Sequence, residues 1–166
     1  MLIYHPAYDA YHSAFRVLLA VDHLQCVELP KLRILDFFLT FPAEVRNIRL
    51  PREHMGARKM AERLANEYHG PVNAKKTFQD MEHIHMASVR ALAASNLLDK
   101  NRLDAGFAQR TATPIPESFL ILLTQARQRE REITEFIISG LGGLRTQGID
   151  GLKDRTDLLE YRYDVV

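Results

Sequence analysis

Cysteine is nearly absent: Cys26 stands alone in the chain. One thiol excludes an internal disulfide framework and fits a reducing compartment. Its place between a helix and an apolar run suggests a buried side chain, and no base accompanies it that would make it a nucleophile. Charge of one sign is equally lacking. Net charge is +1 over 166 residues, with 26% charged and 46% apolar residues, the balance of an ordinary soluble globular chain. Any nucleic-acid binding must therefore come from a local patch. No apolar run reaches the roughly 20 residues that span a bilayer. The start, Met1-Leu-Ile-Tyr-His-Pro6, lacks a charged stretch followed by a long apolar one. The expected location is the cytoplasm. Internal repeats and low-complexity tracts are absent.

Signatures of chemistry are missing too. There is no G-x-x-x-x-G-K-[ST] loop and no G-x-G-x-x-G after a strand. Gly140-Leu-Gly-Gly143 follows a helical pattern and reads as a helix terminator. No H-E-x-x-H or Cys-x-x-Cys occurs. His83 and His85, two apart on a helix, point to nearly opposite sides. His54 and His69 sit at the two ends of an expected helix, about 20 Å apart. Neither pair makes a metal site, so no metal and no cofactor is expected. The acidic residues form no recognisable catalytic pair. Asp36 alone is set in apolar surroundings. It is either a general acid with a raised pKa or, as we favour, a structural residue paired with Arg16 or Arg33. His85 reads as a satisfied core histidine. A small hydrolase using Asp36 and a histidine lacks a nucleophile, base and orienter set. No enzymatic activity is expected.

The stretch from Glu28 to Pro42, Glu-Leu-Pro-Lys-Leu-Arg-Ile-Leu-Asp-Phe-Phe-Leu-Thr-Phe-Pro, organises the chain. Apart from Asp36 it is uncharged from Ile34 to Phe41, so it must be covered on every side. A central core helix is expected, opened by Pro30 and ended by Pro42; a buried strand is the alternative. Before it, Tyr8, Tyr11, Phe15, Leu18 and Leu19 mark the apolar face of a helix from about Ala7 to Leu24. A third helix is expected from Glu53 to Tyr68, with Ala57, Met60, Ala61, Leu64, Ala65 and Tyr68 inward and His69-Gly70-Pro71 as its stop. A fourth runs from Lys75 to Leu98, with Thr77 as its cap and Phe78, Met81, His85, Ser88 and Leu92 on one face. Leu103 to Pro116 suits a β-hairpin or an irregular wing. A fifth helix runs from Pro116 to about Ser139, charged with both signs from Arg127 to Glu132. Leu159 to Val166 alternates like a strand, with Leu159, Tyr161, Tyr163 and Val165 on one face.

This order fits a mainly α fold, a winged helix-turn-helix-like core with a short β wing and a C-terminal strand. A small irregular α-bundle fits it as well. The division expected is a helical winged-helix-like domain over residues 1–139 and a C-terminal extension over 140–166. If the third and fourth helices are the arms of a helix-turn-helix, Arg46, Arg49, Arg52, Arg58, Lys59, Arg63, Lys75 and Lys76 would face a phosphate backbone. Interspersed Glu53, Glu62 and Glu67 dilute that field, and a solvated helix face is the competing reading.

Three stretches resemble a known family. They are Tyr4-His-Pro-Ala-Tyr-Asp-Ala-Tyr-His-Ser-Ala-Phe-Arg-Val-Leu18, then Leu29 to Pro42 with its Leu-Asp-Phe core, then Phe78 to Asp99 with its Leu-Leu-Asp exit. Together they resemble the small middle component of bacterial ABC three-component conflict systems, which include Lamassu-like defence modules. The resemblance implies a non-enzymatic adaptor between a separate SMC- or Rad50-like ABC ATPase, which senses foreign DNA, and an effector, often a nuclease. DNA would be met through the complex. Partner contacts would use the charged fifth helix (Arg127, Arg129, Arg131), the terminal strand (Tyr161, Tyr163, Val165) or exposed parts of the first helix. The alternative is a winged-helix DNA-binding transcriptional regulator acting alone.

Overall fold

The apolar run is a helix, α2 (Leu29–Thr40), with Pro30 in its first turn. Past Phe41 the chain turns into a 3-10 segment, Pro42–Asn47. Ile34, Leu35, Phe37 and Phe38 are buried, as a segment apolar on every side requires. The Phe37 ring lies 5.2 Å from Phe38, 5.3 Å from Phe41 and 6.0 Å from Phe78, so α2 is the centre of the aromatic core. The computed structural model describes residues 5–65, 70–128 and 130–160, without the side chain of residue 127.

Against α2 lies α1 (Ala10–Leu24), entered through a 3-10 turn, Pro6–Tyr8. Asp9 caps it, accepting from the N–H groups of Tyr11 and His12. Its buried face differs from the expected one. Tyr8 and Tyr11 are about half exposed, and Ser13, Arg16, Val17 and Val21 join Leu18 and Leu19 inside. The aromatic spacing misled because two polar residues turn inward to meet Asp36. Cys26, expected inside, is exposed. It starts β1 (Cys26–Glu28), whose middle residue Val27 is the buried one.

The third helix is shorter than expected. A 3-10 turn, Arg52–His54, precedes α3 (Met55–Arg63). Ala57 and Ala61 are buried, Met60 and Leu64 half-buried, and Ala65 exposed. Tyr68 and His69 lie outside the described residues. The fourth helix is two: α4 (Ala74–Asp80) and α5 (Glu82–Ala94), joined at Met81. Asn73 caps α4 in place of Thr77, accepting from the N–H of Lys76 at 2.9 Å. Phe78, Met81, His85, Ser88 and Leu92 do share one buried face. After Ala94 the chain turns at Asn96, φ 59°, and Leu97 and Leu98 close onto the core.

The segment after α6 (Lys100–Asp104) makes no local hairpin. β2 (Phe107–Gln109) pairs antiparallel with β1, in the register Cys26↔Gln109, Val27↔Ala108 and Glu28↔Phe107. Its other edge meets the exit from α5 through Asp99 N–H to Gln109 O, 2.9 Å, and the Leu98↔Arg110 bridge. Gly106, φ 91°, makes the turn into β2 and accepts from the N–H of Leu29. The fold is thus mainly helical with a small two-stranded antiparallel sheet.

The charged fifth helix is also broken. α7 (Glu117–Gln128) and α8 (Arg131–Glu135) are separated by Glu130 in the left-handed region, φ 50°. A straight helix serves one face; the break lets α7 lie on α1 while α8 lies on α3. A π-helical turn, Phe136–Leu141, follows and contains Gly140. The chain then closes on the core through Leu141, Leu152 and Leu158. α9 (Leu152–Thr156) is fastened by Arg49, which meets Asp154 at 2.6 Å while its carbonyl accepts from Arg155 at 2.6 Å. Of the expected terminal strand, Leu159 lies in a bend, and residues 161–166 fall outside the described residues. Among the described residues no helix is long and apolar enough to cross a membrane.

Candidate functional site

Asp36 sits in the middle of α2 with 2% of its surface exposed. A charge there requires partners, and two other helices supply them. Arg16 of α1 approaches Oδ1 through Nε at 2.5 Å. Ser13, one turn earlier on the same face, donates its hydroxyl to Oδ2 at 3.0 Å. His85 of α5 lies 2.9 Å from Oδ2 through Nδ1, so Nδ1 carries the hydrogen. Burial pushes the Asp36 carboxyl up, but the His85 hydrogen bond and the Arg16 charge outweigh it and hold the pKa below the usual carboxylate range. Of the two partners expected, Arg16 is the one used. Arg33 instead stacks over Phe78, 4.6 Å from the ring centre, and pairs with Glu82 at 3.4 Å.

Ser, His and Asp together suggest nucleophilic catalysis, but the connections are wrong for it. The Ser13 hydroxyl is spent on the carboxylate, and the imidazole Nε2 is buried without a hydrogen-bond partner among the described residues. A triad needs its hydroxyl on the imidazole. This cluster ties α1, α2 and α5 to one another. Ser13 is absent from the residues expected at the site, although its i, i+3 spacing to Arg16 was the available signal.

Arg16 also faces outward in part. It forms one wall of a cleft of about 370 Å³ between α1 and the α7–α8 segment, with Tyr11, Phe15, Leu39, Leu122 and Glu130 among the other lining residues. Arg16 Nη1 donates to Pro6 O at 3.2 Å, and among the described residues Nη2 has no partner. Two further clefts flank the same segment. One, of about 370 Å³, contains the His23 to Ser139 contact of 3.0 Å. The other, of about 310 Å³, lies between α3 and α8. Arg131 lines both of these. Of the other expected partner residues, the Arg127 side chain, Arg129, Tyr161, Tyr163 and Val165 lie outside the described residues.

The eight cations expected to face DNA divide by environment. Arg49 is committed to Asp154, Arg58 donates to Ile48 O at 3.0 Å, and Lys76 pairs with Asp80 at 2.9 Å. Arg46, Arg52, Lys59, Arg63 and Lys75 are exposed. Among the described residues no group of three or more His, Cys, Asp or Glu comes together in a way that could hold a metal ion.

The family model for ABC-three component system Middle Component 5 matches residues 2–164. The chain belongs to this family. That match spans all three of the stretches that carry the resemblance. No curated protein and no solved structure matches this middle component. Membership in a three-component system implies association with the other components.

Proposed function

We propose that this middle component is a non-enzymatic adaptor working in the cytoplasm. It joins an SMC- or Rad50-like ABC ATPase to an effector, such as a nuclease, in antiphage or antiplasmid defence of the Lamassu-like kind. The observation that carries this reading is the family match over residues 2–164. The geometry agrees with it: the best-connected polar cluster, at Asp36, is spent on holding three helices together, whereas α7 and α8 are bordered by open clefts. The finer reading of the fold is a winged-helix-like core, with β1 and β2 as a reduced wing beside α1, α2 and α5. DNA, in this reading, is met by the assembled complex, with exposed Arg46, Arg52, Lys59, Arg63 and Lys75 contributing.

The test is co-expression of the tagged protein with its genomic neighbours, followed by size-exclusion chromatography and mass spectrometry. A large ABC ATPase and a second protein should elute with it. Deleting its gene from the set should abolish protection against phage or plasmid. A protein that elutes alone under these conditions, and whose deletion leaves protection intact, is not the adaptor.

A further inference from the structure

We infer that Glu130 is a hinge, at which α7 and α8 interconvert between the bent form and one continuous helix with α7 lifted off α1. The inference concerns this chain alone and does not depend on the adaptor reading.

Nothing local calls for the bend. Residues 125–132 contain no glycine or proline, and glutamine, arginine and glutamate are good helix formers. Glu130 nevertheless has φ 50°. A side chain in the left-handed region is strained, and only glycine enters it freely. The spacing also belongs to a straight helix. Phe119, Leu123, Ala126, Glu130, Ile133 and Ile137 follow at steps of four, three, four, three and four, which on an unbroken helix make one seam. Glu130 is the single charged member of that seam. In the bent form it leaves the seam for solvent, exposed at the border of the cleft beside α1 and of the cleft beside α3.

The bend is therefore maintained by packing on its two sides. α8 is secured by buried Ile133 and runs into the π-helical turn with buried Ile137. α7 is held more lightly. Of its five consecutive apolar residues, Phe119 to Leu123, only Leu123 is fully buried. Phe119 adds a ring contact of 5.7 Å with half-exposed Tyr11. An element with few buried apolar contacts opens at low cost. Strain at Glu130 works for release and burial of Leu123 works against it, which is the balance of a two-state element. Lifting α7 uncovers Leu123 and the α1 wall of the cleft at Phe15. The bent form thus keeps closed an apolar surface that the straight form presents.

The experiment uses the whole chain with Cys26→Ser. Spin labels are placed at Ser118→Cys on α7 and, in turn, at Asn101→Cys or Lys75→Cys, all exposed positions. Pulsed electron paramagnetic resonance then reads the two distances. α7 has 12 residues and is about 18 Å long, so straightening should carry its Ser118 end by about 10 Å or more. Two distance populations are expected. Glycine accepts positive φ and is the poorer helix former, whereas alanine is the best. The straight-to-bent ratio should therefore be at least about fivefold higher in Glu130→Ala than in Glu130→Gly. Glu130 is exposed, so both variants should keep the parent's core and helical circular dichroism. A single distance for both label pairs in the parent and in Glu130→Ala overturns the hinge. So do two populations whose ratio is the same whether residue 130 is glutamate, alanine or glycine.

Discussion

Arg16 and Asp36 meet through a single Nε to Oδ1 contact of 2.5 Å, between two helices, with both side chains at least nine-tenths buried. A pair so enclosed contributes in an asymmetric way. Forming it gains little over a well-packed apolar pair, but removing one partner strands a charge.

Arg16→Met should therefore destabilise the protein by about 3–5 kcal/mol. For a chain of this size that lowers Tm by roughly 10 °C. Combining it with Asp36→Leu should cost less than the two single changes added together, by about 0.5–3 kcal/mol. Thermal or urea melts of the four proteins measure the difference. Additive losses would show that the two side chains are not coupled.

The same carboxylate sets an acid limit. Its folded pKa lies below the ordinary value, so the ionised form is bound more strongly by the folded state. The stabilisation is fully present above the ordinary aspartate range, near pH 4. It is lost as pH falls through the folded value. Melting temperature should drop steeply below about pH 4, and the part due to Asp36 should vanish in Asp36→Asn. That variant should be less stable than the parent at pH 7 but should converge with it in acid.

Gly142 and Gly56 should respond in opposite directions to alanine. A Cβ at Gly142 would overlap the Ile138 carbonyl oxygen and press on Leu24, 3.2 Å away. The Gly142 carbonyl also receives Lys31 Nζ at 2.9 Å. Gly142→Ala should cost about 1–3 kcal/mol, as overpacking does. Gly56 lies in α3 with open space around it. Gly56→Ala should stabilise by about 0.4–1 kcal/mol. Melts of the two variants settle both signs.

DNA binding, if it is a property of the complex, should be sensitive to Arg52, Lys59 and Arg63. Arg58 is left intact because it holds the Ile48 carbonyl. Reversing the three to glutamate should weaken duplex binding and reduce the salt slope by about one for each phosphate no longer neutralised. Fluorescence anisotropy between about 50 and 200 mM salt reads both. An unchanged slope would remove this surface from DNA recognition.

What could be read in advance followed from local rules. The apolar run around Asp36 had to be a covered element, and α2 is one. The 3.6-residue period picked out Phe78, Met81, His85, Ser88 and Leu92 as one buried face. The same rule failed on α1, where aromatic residues at helical spacing stay half exposed while Ser13 and Arg16 go in. It failed again at Glu130, where nothing in the charged stretch announces a left-handed residue.

The chain's own order of residues determined the helical class, the central place of α2 and the need of Asp36 for a partner, because burial and periodicity are local consequences of side-chain type. Tertiary structure alone decided the rest. It chose Arg16 over Arg33, paired β1 with a β2 far along the chain, exposed Cys26 and brought Arg16 to the wall of a cleft. Each of those depends on which distant elements come together. A three-residue strand or a single arginine carries no periodic signal of its eventual neighbour, so such choices are made only when α1, α2, α5 and α7 are packed against one another.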